Sequence, residues 1–232
     1  MALPQLNSVK YELTLPSTGE KVEYRPFLVR EEKALMIAQQ SGVEADMLRA
    51  VENIIEDCTF GKVKKGEHPF FDIEYVFLQL RAKSVGETVD VSVTCPDDGK
   101  TKVSVKIKLD EVQCVRDIEH KEKFELTDTV GIIMSHPKVK DLALIDSKNP
   151  ETTFDLIESC VHQIYDAENV YEKNDMNKKD LKEFIESMTH DQFQDINSFF
   201  ETMPKVKHSV KVKNPNTGVE GEVVLEGMAN FF

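Results

Sequence analysis

The chain has 232 residues, 40% of them hydrophobic, so it can bury a substantial core without disulfides or structural metals. Its 42 acidic residues outnumber its 29 basic ones, and the net charge of −13 disfavours binding to nucleic-acid backbones and to anionic membranes. The sequence has no recognisable secretory signal and no apolar run long enough to span a bilayer, which predicts a soluble protein. Its four cysteines lack a disulfide-like spacing, which predicts reduced thiols in a cytosol-like compartment.

Three segments, 12–24, 89–105 and 209–225, predict β-hairpins. Each has alternating or β-rich residues on both sides of an x-Pro-x-x-Gly turn. Proline presets φ for such a turn, and glycine accepts the positive φ that a bulged hairpin needs. Since a two-stranded hairpin cannot bury its apolar face alone, we expect the hairpins to pack on helices or on one another, with their strand order left open.

Helical periodicity predicts Arg30–Gln40, Glu44–Cys58 and Asp72 to about Val85 as the helical partners of these hairpins. The first helix carries apolar residues that include Met36 and Ile37. Asp72 has the residue type of an N-cap and is expected to begin the third helix.

The middle of the chain is less regular, with Lys123–Leu126 and Thr129–Met134 as β-rich runs. Helical spacing then predicts Thr153–Tyr165 as a helix and another helix beginning at Asn177. A capping box, Thr189 to Gln192, opens a last helix that Pro204 ends.

The predicted fold class is therefore α+β, a helical body with three β-hairpins in one or two compact domains. The predicted segments are an N-terminal arm and first hairpin (1–28), a helical segment (29–87), a central hairpin with a β-rich connection (88–150), C-terminal helices (151–205), and a C-terminal hairpin and tail (206–232).

Catalytic motifs are lacking in this sequence. It has no phosphate-binding glycine loop, no nucleophile elbow and no metalloprotease spacing among its six histidines, so we expect neither an enzyme nor a cofactor. The segment Asp175–Asp180 resembles a calcium loop, but Lys179 and Asp180 occupy positions that need a ligand and a glycine.

The segment from Cys95 to Gly99 has half of a zinc-knuckle pattern, with Asp98 where a second thiolate would stand. The third hairpin offers Asn214 and Thr217 at the matching positions. We expect a metal-free turn, with a metal-dependent binding module on the Cys95 hairpin as the alternative.

The turns and the final aromatic pair form the predicted partner-binding surface. Exposing the rings of Phe231 and Phe232 to water is energetically costly unless they dock into the same chain or into a partner. The sequence leaves both outcomes open. The candidate residues are Pro16, Gly19, Pro96, Gly99, Pro215, Gly218, Phe231 and Phe232.

Several motifs resemble one known family when they are taken in order along the chain. They are Leu13–Gly19 with Tyr24–Phe27 and Glu31–Lys33, then Phe71–Tyr75 with Leu78–Glu87, and finally Phe199–Pro204 with Leu225–Met228 and Phe231–Phe232. Together they resemble the baseplate hub (hub assembly) proteins of T-even-type contractile-tailed bacteriophages. The resemblance spans the chain and is weakest between about 115 and 149.

This resemblance implies a virus-encoded structural or assembly protein of the tail baseplate hub, made in the host cytoplasm. Its partners would be other hub and tail proteins. The protein would bind no nucleic acid and would not insert stably into a membrane, and it could form a homo-oligomer. Whether the protein stays in the virion or acts as an assembly chaperone is open. Relatives can carry Cys-Pro-x-Cys-Gly, of which this chain keeps Cys95, and the family has no catalytic residues to carry over.

Overall fold

In the computed structural model of the protein, the described residues are 6–142, 149 and 151–231. The helices there are α1 (Val29–Ser41), α2 (Glu44–Cys58), α3 (Phe70–Ser84), α4 (Val139–Leu142), α5 (Glu151–Cys160), α6 (Lys178–Glu186) and α7 (His190–Thr202). The strands are β1 (Tyr11–Thr14), β2 (Lys21–Tyr24), β3 (Thr88–Thr94), β4 (Lys102–Lys108), β5 (Gln113–Val115), β6 (Lys123–Glu125), β7 (Gly131–Met134), β8 (Val161–Tyr165), β9 (Val170–Glu172), β10 (Lys205–Lys213) and β11 (Glu220–Glu226). The predicted α+β class is confirmed.

The chain forms two compact units, and the first is discontinuous in sequence. Unit 1 consists of Met1–Val115 and Lys205–Phe232, and unit 2 of Arg116–Pro204. The last hairpin therefore belongs with the N-terminal half of the chain. Within the described residues, no helix combines the length and apolar character that crossing a membrane requires.

Unit 1 contains the three predicted hairpins as the antiparallel pairs β1–β2, β3–β4 and β10–β11. They lie in three separate sheets, and β5 adds a third strand to the last of them along β10. Nine residues of α3 are buried, including the consecutive Val76, Phe77 and Leu78, so this helix is covered on several sides. It contacts β5 and β10 and forms the centre of unit 1.

The orientation of α1 differs from the expectation that its apolar residues serve the hairpins. Met36 and Ile37 are 58% and 59% exposed, whereas Glu31 and Ala38 are buried. Glu31 accepts hydrogen bonds from Arg25 at 3.0 Å and from the Leu28 amide at 2.7 Å. These contacts place the Glu31 face inward, and the more apolar face of α1 is left at the surface.

Unit 2 consists of the antiparallel sheet β6–β7–β8–β9 and helices that cover it. Its core combines residues of the strands with apolar residues of α5, α6 and α7: Phe124, Ile132, Met134, Ile157, Cys160, Val161, Ile164, Leu181, Ile185, Ile196 and Phe199. Two predicted helix starts in this unit are confirmed. Asn177 accepts from the Asp180 amide at 2.9 Å, and Thr189 and Gln192 form the reciprocal capping box.

Two predicted element boundaries are wrong. The helix predicted over Thr153–Tyr165 ends at Cys160, because Val161–Tyr165 pairs with β7 on one side and β9 on the other. Short apolar runs fit either period, so a strand partner decides the structure. Asp72 does not begin α3. That helix begins at Phe70 after Pro69, and Asp72 is a buried residue of its first turn.

Candidate functional site

The three predicted turns share one backbone geometry. In each, the glycine amide donates to the carbonyl of the residue before the proline: Gly19 to Leu15 at 2.8 Å, Gly99 to Cys95 at 3.0 Å, and Gly218 to Asn214 at 2.8 Å. The three glycines have φ of +71°, +64° and +76°, the left-handed region in which residues with a Cβ are strained. The proline and glycine of the repeated pattern thus have the same structural roles three times.

The first turn, between β1 and β2, is bound to α3. Its Ser17 amide donates to Asp72 Oδ1 at 3.0 Å, and the Ser17 hydroxyl donates to Asp72 Oδ2. Asp72 is fully buried, and this burial raises its pKa while the bonds from Ser17 and the nearby His68 oppose the rise. Pro16 and Gly19 therefore belong to a turn that is anchored on a helix.

The second and third turns bind each other through Asn214. The Asn214 amide nitrogen lies 3.0 and 3.1 Å from the two carboxylate oxygens of Asp97 and 2.9 Å from Asp98 Oδ2. The other end of the same side chain, Oδ1, accepts from the Asn216 amide at 2.9 Å, which determines the orientation of the amide. Asn214 is 1% exposed.

Further polar contacts extend this junction, which we call the paired turns (95–101 and 214–219). The Thr217 hydroxyl donates to Asp97 Oδ2 at 2.5 Å, and Asn216 Nδ2 donates to Thr101 Oγ1 at 3.0 Å. A Cβ at Gly221 would lie 2.7 Å from Pro96 Cγ, so the small residue permits the close approach of the two hairpins. The structure thus brings Pro96, Gly99, Pro215 and Gly218 into one polar junction.

The charges of the paired turns follow from these hydrogen bonds. Donation from Thr217 and Asn214 lowers the pKa of Asp97, and donation chiefly from Thr101 lowers the pKa of Asp98. Burial and the two nearby carboxylates raise the pKa of the Cys95 thiol. At neutral pH the paired turns therefore carry the carboxylates of Asp97 and Asp98 beside the protonated thiol of Cys95.

The four knuckle positions, Cys95, Asp98, Asn214 and Thr217, do not fit a zinc ion. Structural zinc takes four ligands, usually thiolates or imidazoles, that each present a lone pair. Here one thiol is present, and the Asn214 nitrogen is a hydrogen-bond donor toward the carboxylates. Hydrogen bonds between side chains join the two turns at the place where a zinc knuckle pair would use a metal.

The last described residues are packed into unit 1. Phe231 is fully buried in a 3₁₀ turn, Met228–Phe231, and the Met228 amide donates to Glu74 Oε1 of α3 at 2.9 Å. Of the two outcomes left open by the sequence, docking into its own chain is the one found for Phe231. Phe232 lies outside the described residues.

The candidate residues thus separate into three groups. Pro96, Gly99, Pro215 and Gly218 come together, Pro16 and Gly19 lie on the turn bound to Asp72, and Phe231 belongs to the core.

Sequence reasoning did not identify Asn214 as the residue that joins two turns, although the matched x-Pro-x-x-Gly patterns were a signal. It also did not bring together His120, Glu122 and His136 of unit 2.

Comparison with known families gives one match that covers nearly the whole chain. The model of a family described as "T4 bacteriophage base plate protein" matches residues 8–232. The comparisons with curated proteins and with solved structures give no match. The matched range includes all three hairpins, the whole of unit 2 and unit 1 from residue 8 onward.

Proposed function

The chain belongs to the T4 bacteriophage base plate protein family, and we propose that it is a structural or assembly protein of the central hub of that base plate. Membership of the family implies interaction with other phage tail proteins. The observation that carries the proposal is the family match over residues 8–232, to which the order of the motifs from Leu13 to Phe231 adds the resemblance to hub proteins.

The proposed mode of action is noncovalent contact at the paired turns. Their outer residues are exposed, while Asn214 and Cys95 are buried. The exposed residues are Pro96, Gly99, Lys100, Pro215 and Val219. A rigid loop pair with an exposed proline on each side loses little conformational entropy when a partner covers it. No covalent chemistry is needed for this role.

The test of the hub assignment is affinity capture of the tagged full-length chain from infected cells, followed by identification of the co-purified base plate proteins. Recovery of central hub components supports the proposal. Recovery of peripheral base plate proteins without hub components would leave the family assignment intact and overturn the hub role. Mass spectrometry of purified particles then decides between a permanent component and an assembly chaperone.

The contact surface is tested in the same assay with Lys100→Glu combined with Val219→Asp. Both side chains are exposed, so we expect normal folding but at least about tenfold weaker recovery of partners, the change that 1.4 kcal/mol produces. Lys62→Glu, which repeats the Lys→Glu charge reversal at an exposed position after α2, is the control. Equal recovery with both variants would exclude the paired turns as the contact surface.

A further inference from the structure

Three residues with metal-binding side chains meet in unit 2 beside the β6–β7 pair. In that pair Lys123 lies opposite Ile133, and the Met134 amide donates to the Glu122 carbonyl at 2.7 Å just before β6. The same register carried further places His120 opposite His136. Glu122, two residues after His120, lies beside the two histidines.

The ligand atoms of these residues converge. The Nε2 atoms of His120 and His136 are 3.0 Å apart, and the candidate ligand atoms of both histidines and Glu122 all lie within 4.8 Å of one another. Two imidazoles bound to one tetrahedral Zn²⁺ at about 2.0–2.1 Å have nitrogens roughly 3.3 Å apart. The rings therefore need to separate by only a few tenths of an ångström.

The tautomer of His120 is determined by its second ring nitrogen. His120 Nδ1 lies 2.9 Å from Thr202 Oγ1, and that hydroxyl donates its single proton to the Ser198 carbonyl at 2.7 Å. Nδ1 must therefore be the donor to Thr202. In the neutral ring, Nε2 then carries a lone pair and accepts a hydrogen bond from His136 Nε2–H. A metal would take the place of that shared proton, with the His136 proton moved to its Nδ1, and His120 already has the arrangement that hydrogen bonding gives to metal-binding histidines.

Packing against one aromatic ring holds both imidazoles in place. Phe199 lies 5.1 Å from the His120 ring and 5.2 Å from the His136 ring, measured between ring centroids. Contact with Phe199 therefore restricts rotation of both rings and keeps their nitrogens close to each other.

We propose that His120, His136 and Glu122 form a binding site for a divalent transition metal, with Zn²⁺ as the ion that suits this ligand set best. Two imidazoles and one carboxylate provide three protein ligands and leave the fourth tetrahedral position to water or another donor. The Glu122 side chain is 46% exposed, so the ion has access from solvent. The site is independent of the proposed hub role.

Among the described residues, Arg116 is a cation that competes for Glu122, with 3.5 Å between its guanidinium nitrogen and Glu122 Oε1. A carboxylate has two oxygens and can accept from a guanidinium while it binds a metal. The metal therefore binds beside this ion pair.

The experiment uses full-length protein stripped with a chelator and titrated with Zn²⁺ against a chromophoric competitor. We expect one equivalent to bind, the melting temperature to rise, and Co²⁺ to give the visible absorption of a tetrahedral site. Glu122→Gln and His136→Asn should each weaken affinity more than about 100-fold, beyond the effect typical of outer-shell residues. Glu122 is half-exposed, so Glu122→Gln remains informative if His136→Asn fails to fold.

A double variant, His162→Asn with His190→Asn, is the matched control, because it removes two exposed histidines of the same unit. It should bind Zn²⁺ as the parent protein does. Absence of stoichiometric binding to the parent, or unchanged affinity in folded Glu122→Gln, would overturn the proposal. So would loss of binding in the control with retention in the two ligand variants.

Discussion

Glu74 gives the sharpest prediction, since its carboxyl group is buried in α3. Its side chain is 7% exposed, and its described polar contact is the Met228 amide, which donates to Oε1 at 2.9 Å. Burial raises the pKa of Glu74 from 4.5 to about 7, and the bond from Met228 only partly opposes this rise. The folded protein therefore holds this proton to a higher pH than the unfolded chain does.

The sign and size of the effect follow from linkage. Between the unfolded pKa of 4.5 and the folded value of about 7, the folded state binds more protons, so the contribution of Glu74 to stability is lost as the pH rises. At 1.36 kcal/mol for each pKa unit, the total loss is about 3 kcal/mol. Glu74→Gln keeps an oxygen acceptor for Met228 and removes the buried charge.

We expect the free energy of unfolding of Glu74→Gln, relative to the parent, to rise by about 3 kcal/mol between about pH 4 and about pH 8. Urea unfolding at a series of pH values measures it, because the difference between the two proteins cancels the titration of all other groups. Glu32→Gln, an exposed position of α1, is the control and should show no such trend. A pH-independent difference for Glu74→Gln would refute the reasoning.

Three further substitutions test contacts within the two units. Asn214→Ala should destabilise the protein by about 2 kcal/mol, because it removes a buried amide that donates to two carboxylates. Asn216→Ala at an exposed position of the same turn should cost much less. Equal shifts of the urea midpoint would contradict the role of Asn214. Gly131→Ala should cost about 1–3 kcal/mol, since its Cβ would meet the Tyr165 hydroxyl at 2.1 Å. Tyr165→Phe should be neutral or stabilising in thermal denaturation, because that hydroxyl is buried with no hydrogen-bond partner in the described part of the chain, and a clear loss of stability would contradict this.

Local chemistry explains which elements could be predicted. The capping box at Thr189 needs only residues three apart, and the turns at Gly19, Gly99 and Gly218 need only a proline and a glycine at the right spacing. Val161 could not be assigned to a strand in this way, because its pairing partner Met134 is distant in the chain. Likewise, the residue type of Asp72 predicts a helix N-cap, but in the structure its carboxylate accepts a hydrogen bond from Ser17, which is distant in the chain.

The candidate sites depend on contacts between distant residues even more strongly. Pro96 and Pro215 could be nominated from their repeated pattern, but their junction depends on Asn214 reaching Asp97 and Asp98 from a different hairpin. His120 and His136 are too far apart in sequence for any local metal motif. They meet because β6 and β7 pair in one particular register.

By itself the sequence determined the α+β class, the three hairpins and most helix ends, since these depend on φ preferences, capping and periodicity among neighbouring residues. Only the tertiary structure decided that the last hairpin joins the N-terminal half, that Phe231 is core, and that the Asn214 amide joins the second and third turns. The reason is that burial and pairing are properties of residues brought together by folding, and each depends on which distant strand or helix supplies the partner.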